Sequence, residues 1–515
     1  MSDSLFINGN GKSLESWLWK AACSIRGEID AAKFKDFILP LIFVKRISDV
    51  YDDELATLNE DLKIAEELVQ VDHSLVRFYI PNNARWAKIA SQTTSLGEYI
   101  TDALRGLARE NSDLQGVIDT MDFNQSTSGQ RTITDESLKD LIQILNKKRL
   151  GLKDVDADIL GRAYEYLLRK FAEDSGQSAG EFLTPMEVAE LMAYILDPEE
   201  GEEIYDPTCG TAGLLIKSSI RFREKYRDNE KLNFPKFFGQ ERTRSTFVMA
   251  KMNAIIHDMQ ETEIALGDTM IRPAFRLRDG TVKIFDKVAA NPMWNQKIDE
   301  TVYENDAYGR FQFGYPPSDR ADWGWIQHMF TSLSEDGKLV IVIDTGSVSR
   351  GSNAESVSRE KMIRKKFVDQ GFVESVILLP ENLFYNTPAA GVIITVQKNH
   401  LRDGRVLMIN ASRMFKKGRP KNFIPTDKIR EIFDIYTNKQ DKDGLCKMIS
   451  KEELVKADYN LNPSRFVSTR SEYEPIPIEE IIPQLQELEG RRRNSDAALN
   501  DIFEQLGYER YTNGS

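Results

Sequence analysis

The sequence predicts an α/β protein: a mostly parallel sheet whose last strand runs antiparallel, with a helical domain before it and a helical tail after it. Three observations predict this. Between about 200 and 400, short apolar runs alternate with stretches of helical period, the pattern of a parallel sheet with crossover helices. No helical stretch separates the sixth run from the seventh, so that pair is expected to be antiparallel. Before residue 170 and after the linker-like EPIPIEE near Tyr473, the apolar residues keep helical spacing instead.

In chain order, residues 1–170 are expected to form the helical domain. Phe34, Phe37, Ile38 and Leu41 share one helical face, with Pro40 as an expected kink or break. Trp17 and Trp19 are read as core or interface anchors. Further helices are predicted over DESLKDLIQILNKKRL and ADILGRAYEYLLRKFAED. Residues 171–465 form the second domain, with strands predicted at EEIYD, KFFGQE, EIALGD, KVAANP, KLVIVID, VESVILL and GVIITVQ. After about 400 the chain becomes more polar. Residues 466–515 are read as linker and tail, with Ile478, Ile481, Ile482 and Leu485 on one face, then Leu499, Ile502, Phe503 and Leu506. Pro483 suggests a late start or a kink, and the tail is either packed on its own domain or a docking arm for a partner.

Composition bounds the function. A chain of 515 residues, 41% hydrophobic and 29% charged, suits a globular protein of roughly two to four domains. No apolar stretch is long enough to cross a bilayer, and MSDSLFINGNGKSLESW lacks a basic segment followed by an apolar one, so neither membrane insertion nor secretion is expected. Cys23, Cys209 and Cys446 lie far apart, which argues against a disulfide framework or a zinc cluster and suits the cytoplasm. The formal net charge of −13 is unlike that of a protein that grips nucleic acid unaided.

Four strand ends carry the chemistry. The first strand runs into DPTCGTAGLL, placing Asp206 at its end, then Thr208, Gly210, Thr211 and Gly213 in a turn, with a helix expected near Ala212. This is neither G-x-G-x-x-G nor a Walker loop. The second strand ends in Glu241, an acceptor suited to a ribose diol, and the third in Asp268, suited to an adenine amino group. Acceptors on successive strand ends without a phosphate cradle describe a nucleoside lacking phosphates, and S-adenosylmethionine fits better than NAD or ATP. Upstream, in GEFLTPM, Thr184 is expected to cap a helix that opens at Pro185, whose N-terminus would face the cofactor's carboxylate.

The fourth strand ends in Asn291-Pro292-Met293-Trp294. An exocyclic amine on adenine or cytosine is a poor nucleophile because its lone pair is delocalised into the ring. If the Asn291 side-chain oxygen and the Pro292 carbonyl accept its hydrogens, the nitrogen can pyramidalise, and geometry replaces a strong base or a metal. Trp294 would stack on a base swung out of the duplex.

In this order, GEFLTP, DPTCGTAG and NPMW resemble motifs X, I and IV of amino-group DNA methyltransferases. With AYEYLLRKFAEDSGQSAGEFLTP they make the chain similar to the modification (M) subunit of type I restriction-modification systems, from the helical region through about residue 465. The resemblance implies a Rossmann-like S-adenosylmethionine-dependent methyltransferase sheet and adenine-N6 methylation of DNA. It implies a separate specificity subunit, a restriction subunit for cleavage, and two copies of this chain per assembly. It extends the cofactor site to Glu181, Phe182, Leu183 and Met186, and puts Phe384 and Tyr385 on the other wall of the base pocket. Met293 stands where the family commonly has a second proline, a change that removes stiffness and no essential group.

Rival readings are a protein glutamine methyltransferase, which faces the same amine problem, and a catalytically silent scaffold that binds the cofactor. A nicotinamide oxidoreductase would need a tighter glycine fingerprint. The four histidines show no catalytic or metal-ligand spacing, and His257 is read as structural. Cys209 lacks the Pro-Cys pairing of a cytosine-C5 enzyme and is read as a small turn residue. The run Arg359, Lys361, Arg364, Lys365, Lys366 either touches phosphates or is a solvated face.

Overall fold

The structure, a computed structural model, describes residues 10–25, 31–61, 63, 66–127, 130–174, 184–227, 232–259, 261–352, 354, 358–399, 404–469 and 478–506. The chain separates into two compact units, Met1–Val467 and Ser468–Ser515.

The helical region is built on α1 (Asn10–Cys23), α2 (Ala31–Asp61), α3 (Leu96–Glu110), α4 (Asp135–Leu145) and α5 (Ala157–Asp174). α2 continues through Pro40 as one helix. Trp17 is buried, with its indole N–H donating to the Ile144 carbonyl at 3.1 Å, and Trp19 packs on Phe171. This core does not close on itself. It takes in Val248, Met249, Met252 and Ile256 from α8, a helix of the sheet region that spans Arg244–Ile256, after α6 (Met186–Leu196) and α7 (Gly213–Lys225). α5 comes so close that a Cβ on Gly161 would lie 2.1 Å from the buried His257 ring, so the approach requires glycine there.

All seven predicted strands form: β1 (Glu203–Asp206), β2 (Lys236–Glu241), β3 (Thr262–Leu266), β4 (Phe285–Ala290), β5 (Leu333–Asp344), β6 (Val373–Leu378) and β7 (Gly391–Gln397). Two more follow where the chain reads as polar, β8 (Val406–Asn410) and β9 (Cys446–Ile449). The nine-stranded order is β9-β8-β6-β7-β5-β4-β1-β2-β3. β7 is antiparallel to both β5 and β6, as the missing crossover helix requires, and β9 is antiparallel to β8. The other pairings are parallel. Apolar side chains cover both faces of the sheet in two separate clusters. The layers include α9 (Asp322–Thr331), α10 (Arg359–Asp369) and α11 (Thr426–Asn438).

Strand order reverses between β1 and β4, which lie side by side although two strands intervene in the chain. In open α/β sheets, ligands bind beyond the carboxyl ends of strands at such a switch point. The second unit holds α12 (Ile478–Gln505), one helix that includes Pro483, so it begins before the proline and not after it. Its Ile482, Leu485, Leu488, Leu499 and Ile502 are exposed. The linker segment EPIPIEE lies largely outside the described residues. Among the described residues no helix is long and apolar enough to cross a membrane.

Candidate active site

A cleft of about 1110 Å³, counted to its open mouth, lies over the carboxyl ends of β1, β2, β3 and β4. Each strand delivers a polar side chain at its last residue or just beyond. Asp206, at the end of β1, is 1% exposed and accepts from the Thr208 amide at 2.9 Å. Burial, followed by repulsion from Glu241, pushes its carboxyl up to about 7. Glu241, at the end of β2, is also raised, chiefly by burial, and accepts from the Thr243 amide at 2.6 Å. Asp268, beyond β3, accepts from the Met270 and Ile271 amides at 2.9 and 3.3 Å, with its other oxygen 3.7 Å from Arg242.

The β1 turn is shaped by backbone requirements. Gly210 has φ +54° and Ala212 φ +66°, so the chain passes through two left-handed residues before α7 begins at Gly213. Ala212 is the N-cap of α7, so the helix starts where it is expected, near Ala212. Cys209 sits over Gly239, where a Cβ would lie 2.9 Å from its sulfur. Burial first, then Asp206 and Glu241, push the Cys209 thiol well up, which suits a turn residue and not a nucleophile.

Asn291 opens onto the same cleft from the end of β4. Its Nδ2 donates to the Thr184 Oγ1 at 3.0 Å, and its Oδ1 accepts from the Trp294 indole N–H at 3.2 Å. An indole only donates, so Trp294 fixes which end of the amide is oxygen. A carboxamide oxygen has two lone pairs, and the second is available to an incoming amine. The following loop is pinned from behind. Asn295, at φ +51°, donates its amide to Asp322 at 3.3 Å, and Asp322 pairs with Arg350 at 3.2 Å.

Thr184 corrects one expectation. The N-cap of α6 is Pro185, with ψ 135°, and no side chain caps the helix. The Val188 and Ala189 amides bond to the Pro185 carbonyl, and the Thr184 hydroxyl instead accepts from Asn291 across 107 residues of sequence.

Of the residues predicted to bind or catalyse, Thr184, Met186, Asp206, Thr208, Gly210, Thr211, Gly213, Glu241, Asp268, Asn291 and Met293 line this one cleft. Pro185, Ala212 and Pro292 are buried. Glu181, Phe182 and Leu183 lie outside the described residues. Phe384 is 3% exposed and belongs to the core, where its ring meets Trp294 at 4.5 Å, edge to face. Tyr385, next to it, is half-buried. A Cβ on Gly391 would lie 2.9 Å from both the Phe384 and Trp294 rings, so glycine at the start of β7 permits that contact.

Among the lining residues the sequence reading missed are Glu165 and Leu168 on α5, Lys217 on α7 and Asn253 on α8. The available signals were weak: an acid inside an apolar helical stretch, and a lysine four residues past a glycine turn. Lys217 pairs with Glu165 at 3.1 Å, so the helical region supplies part of the cleft wall. Asn253 donates to the Thr211 carbonyl at 2.9 Å, while its buried Oδ1 has no partner.

The cations of α10 are committed within the protein. Arg359 pairs with Glu300 at 2.7 Å, Lys361 with Asp458 at 2.6 Å and Lys365 with Asp369 at 2.9 Å. Buried Arg364 bonds to the Tyr459 and Ser347 carbonyls, and Lys366 to that of Phe313.

Comparison with known proteins agrees with this arrangement. The N-6 DNA Methylase family matches residues 155–475, and the HsdM N-terminal domain matches residues 14–145. The type I restriction enzyme MjaVIII methylase subunit of Methanocaldococcus jannaschii is 33% identical over 510 residues, covering 95% of this chain and 84% of that protein. The HindI methylase subunit of Haemophilus influenzae is 28% identical over 471 residues, covering 84% of this chain and 100% of that one. Among solved structures, the type I restriction-modification methyltransferase subunit from Streptococcus thermophilus has a TM-score of 0.74 at 26% identity, covering 89% of this chain and 100% of that one. With a methyltransferase-type sheet and the Asn-Pro-Met-Trp lip beside an acidic cleft, the chain belongs to the N-6 DNA methylase family, among the methyltransferase subunits of type I restriction-modification systems.

Proposed function

We propose that the chain transfers a methyl group from S-adenosylmethionine to N6 of adenine in DNA, in the cytoplasm. A separate specificity subunit would read the sequence, a restriction subunit would join for cleavage, and two copies of this chain would serve each specificity subunit. Residues 1–170 buttress the cleft, 171–465 carry it, and 466–515 dock partners.

The cleft's chemistry suits this cofactor. Of the cations lining it, Lys217 is paired with buried Glu165, and Arg242 is mostly exposed, 3.7 Å from Asp268. Asp206 and Glu241 are both held above their ordinary range by burial, with Glu241 adding repulsion at Asp206. A ligand with positive charge and no phosphates relieves that strain. Glu241 and Asp268 would hold the nucleoside, and the turn from Thr208 to Gly213, with Met186 opposite, the methionine portion. The cofactor supplies a methyl group made electrophilic by its sulfonium.

The chain's own part is to prepare the amine. Asn291 Oδ1 and the Pro292 carbonyl accept its two hydrogens and draw the nitrogen out of conjugation with the ring. Thr184 and Trp294 hold the carboxamide from both sides, so no reorganisation is needed when the base arrives. The observation that carries the reading is this clamped carboxamide opening on the same cleft as three strand-end carboxylates.

The test is to map modified bases in DNA from cells carrying this chain and its specificity partner, with wild type against Asn291→Ala. N6-methyladenine is expected with wild type and absent with the variant, while calorimetric cofactor affinity stays within about twofold, because the side chain acts on the base. Methyl label on cytosine or on protein would overturn the assignment.

A further inference from the structure

Between β8 and α11 lies a segment that the cleft does not use. Lys416 and Phe423 pair as an antiparallel bridge, with amide-to-carbonyl distances of 2.9 and 3.2 Å, so residues 416–423 form a short hairpin. Its turn is tight at Gly418, where a Cβ would lie 2.2 Å from the Lys421 carbonyl oxygen. Buried Met414 and Ile424 anchor the two stems in the core. The hairpin also docks on the loop 380–388. The Asn422 amide donates to the Asn382 carbonyl at 2.9 Å, and Lys421 Nζ reaches Asn382 Oδ1 at 3.2 Å and the Thr387 carbonyl at 3.3 Å. That loop carries Phe384, whose ring packs on Trp294. β8 is parallel to β6, so the hairpin leaves the same edge of the sheet that holds the proposed base site.

Its charge is opposite to that of the protein. The chain is at −13, yet residues 413–421 hold Arg413, Lys416, Lys417, Arg419 and Lys421 and no acid. Arg413, Lys416, Lys417 and Arg419 are exposed, and among the described residues none is paired with a carboxylate. The cations of α10, by contrast, are spent on internal partners. A clustered set of unpaired cations repels itself, and a pre-formed hairpin loses little entropy on binding, so the arrangement suits an extended polyanion.

We propose that the basic segment 413–421, most of it in this hairpin, grips the phosphate backbone of duplex DNA beside the flipped base, an inference that rests on the DNA-methyltransferase reading. It would add clustered positive charge to a chain of net charge −13, at the place where the duplex must be held while one nucleotide leaves it.

The test uses the full-length chain carrying R413Q, K416Q, K417Q and R419Q, positions outside the cleft. Binding to mixed-sequence duplex DNA is titrated across salt concentrations, and methyl transfer is assayed in complex with the specificity subunit. The slope of log affinity against log salt should flatten by about 0.9 for each phosphate that the variant no longer neutralises, and the DNA KM should rise by about tenfold or more. Cofactor affinity and kcat at saturating DNA should not change. A wild-type slope and KM would overturn the proposal. Unchanged DNA binding with impaired assembly would also overturn it, because the occupant would then be an acidic protein surface. If the wild-type complex binds DNA but methylates none, the methyltransferase reading fails, and the salt slope still judges the hairpin.

Discussion

Thr184 and Asp206 show how single side chains are set by distant neighbours. Thr184 has one hydroxyl and uses it on the Asn291 amide, so Thr184→Val keeps the shape and removes the hold. We expect kcat to fall by about fivefold with Val and to be largely retained with Ser, since losing one hydrogen bond is worth about 1 kcal/mol. Equal rates for the two variants would place the hydroxyl outside the mechanism. Asp206 titrates at about 7 in the folded chain because it is buried. The unfolded chain releases that proton near about pH 4. Between these values the folded state holds more protons than the unfolded one, so stability is lost as pH rises from about 4 to about 7. Asp206→Asn removes the titration and should raise apo stability at about pH 8 by on the order of 1–3 kcal/mol, while weakening cofactor binding. A denaturation midpoint at that pH no higher than wild type's, or undiminished calorimetric affinity, would contradict this assignment.

At the scale of elements, the lip depends on how strands and helices meet behind it. α9 fixes the loop after β4 through Asp322, which links the Asn295 amide to Arg350. β7 fixes the aromatic pair, because only glycine at 391 lets Phe384 and Trp294 approach. Gly391→Ala should cost about 1–3 kcal/mol from overpacking and should lower methyl transfer by displacing Trp294. Chemical denaturation together with a transfer assay checks both, and wild-type values in the two would show that the packing is slack. The β7 reversal was legible because PENLFYNTPAA is too short and too rich in breakers to hold a crossover helix. β8 was less legible: VLMIN is a five-residue run in a polar region and gains its meaning only from pairing with β6. β9 is shorter still, and its place at the sheet edge is set by β8.

At the scale of the whole molecule, the proposed function divides labour: the sheet region would prepare the base, and α5 lines the cleft from the helical side through Glu165 and Leu168. A chain of net charge −13 is poorly equipped to find a sequence by itself. The chain alone is therefore expected to methylate DNA poorly and to gain at least about a hundredfold in kcat/KM when a specificity subunit is added, since specific sites bind about 10³-fold or more tighter than non-specific ones. Full sequence-specific activity by the isolated chain, measured as site-mapped methylation, would refute the division.

The sequence by itself determined which residues stand at strand ends, because strand period and the Gly, Pro and Asn that end a strand are local properties. Those local properties put Asp206, Glu241, Asp268 and Asn291 at or just beyond strand ends. Only the tertiary structure decided that β1 lies against β4, that Thr184 serves Asn291 and not its own helix, and that Glu165 joins the cleft from another region. Those pairings join positions far apart in the chain. They are chosen by which apolar faces bury each other, a property of the whole chain that no local window contains.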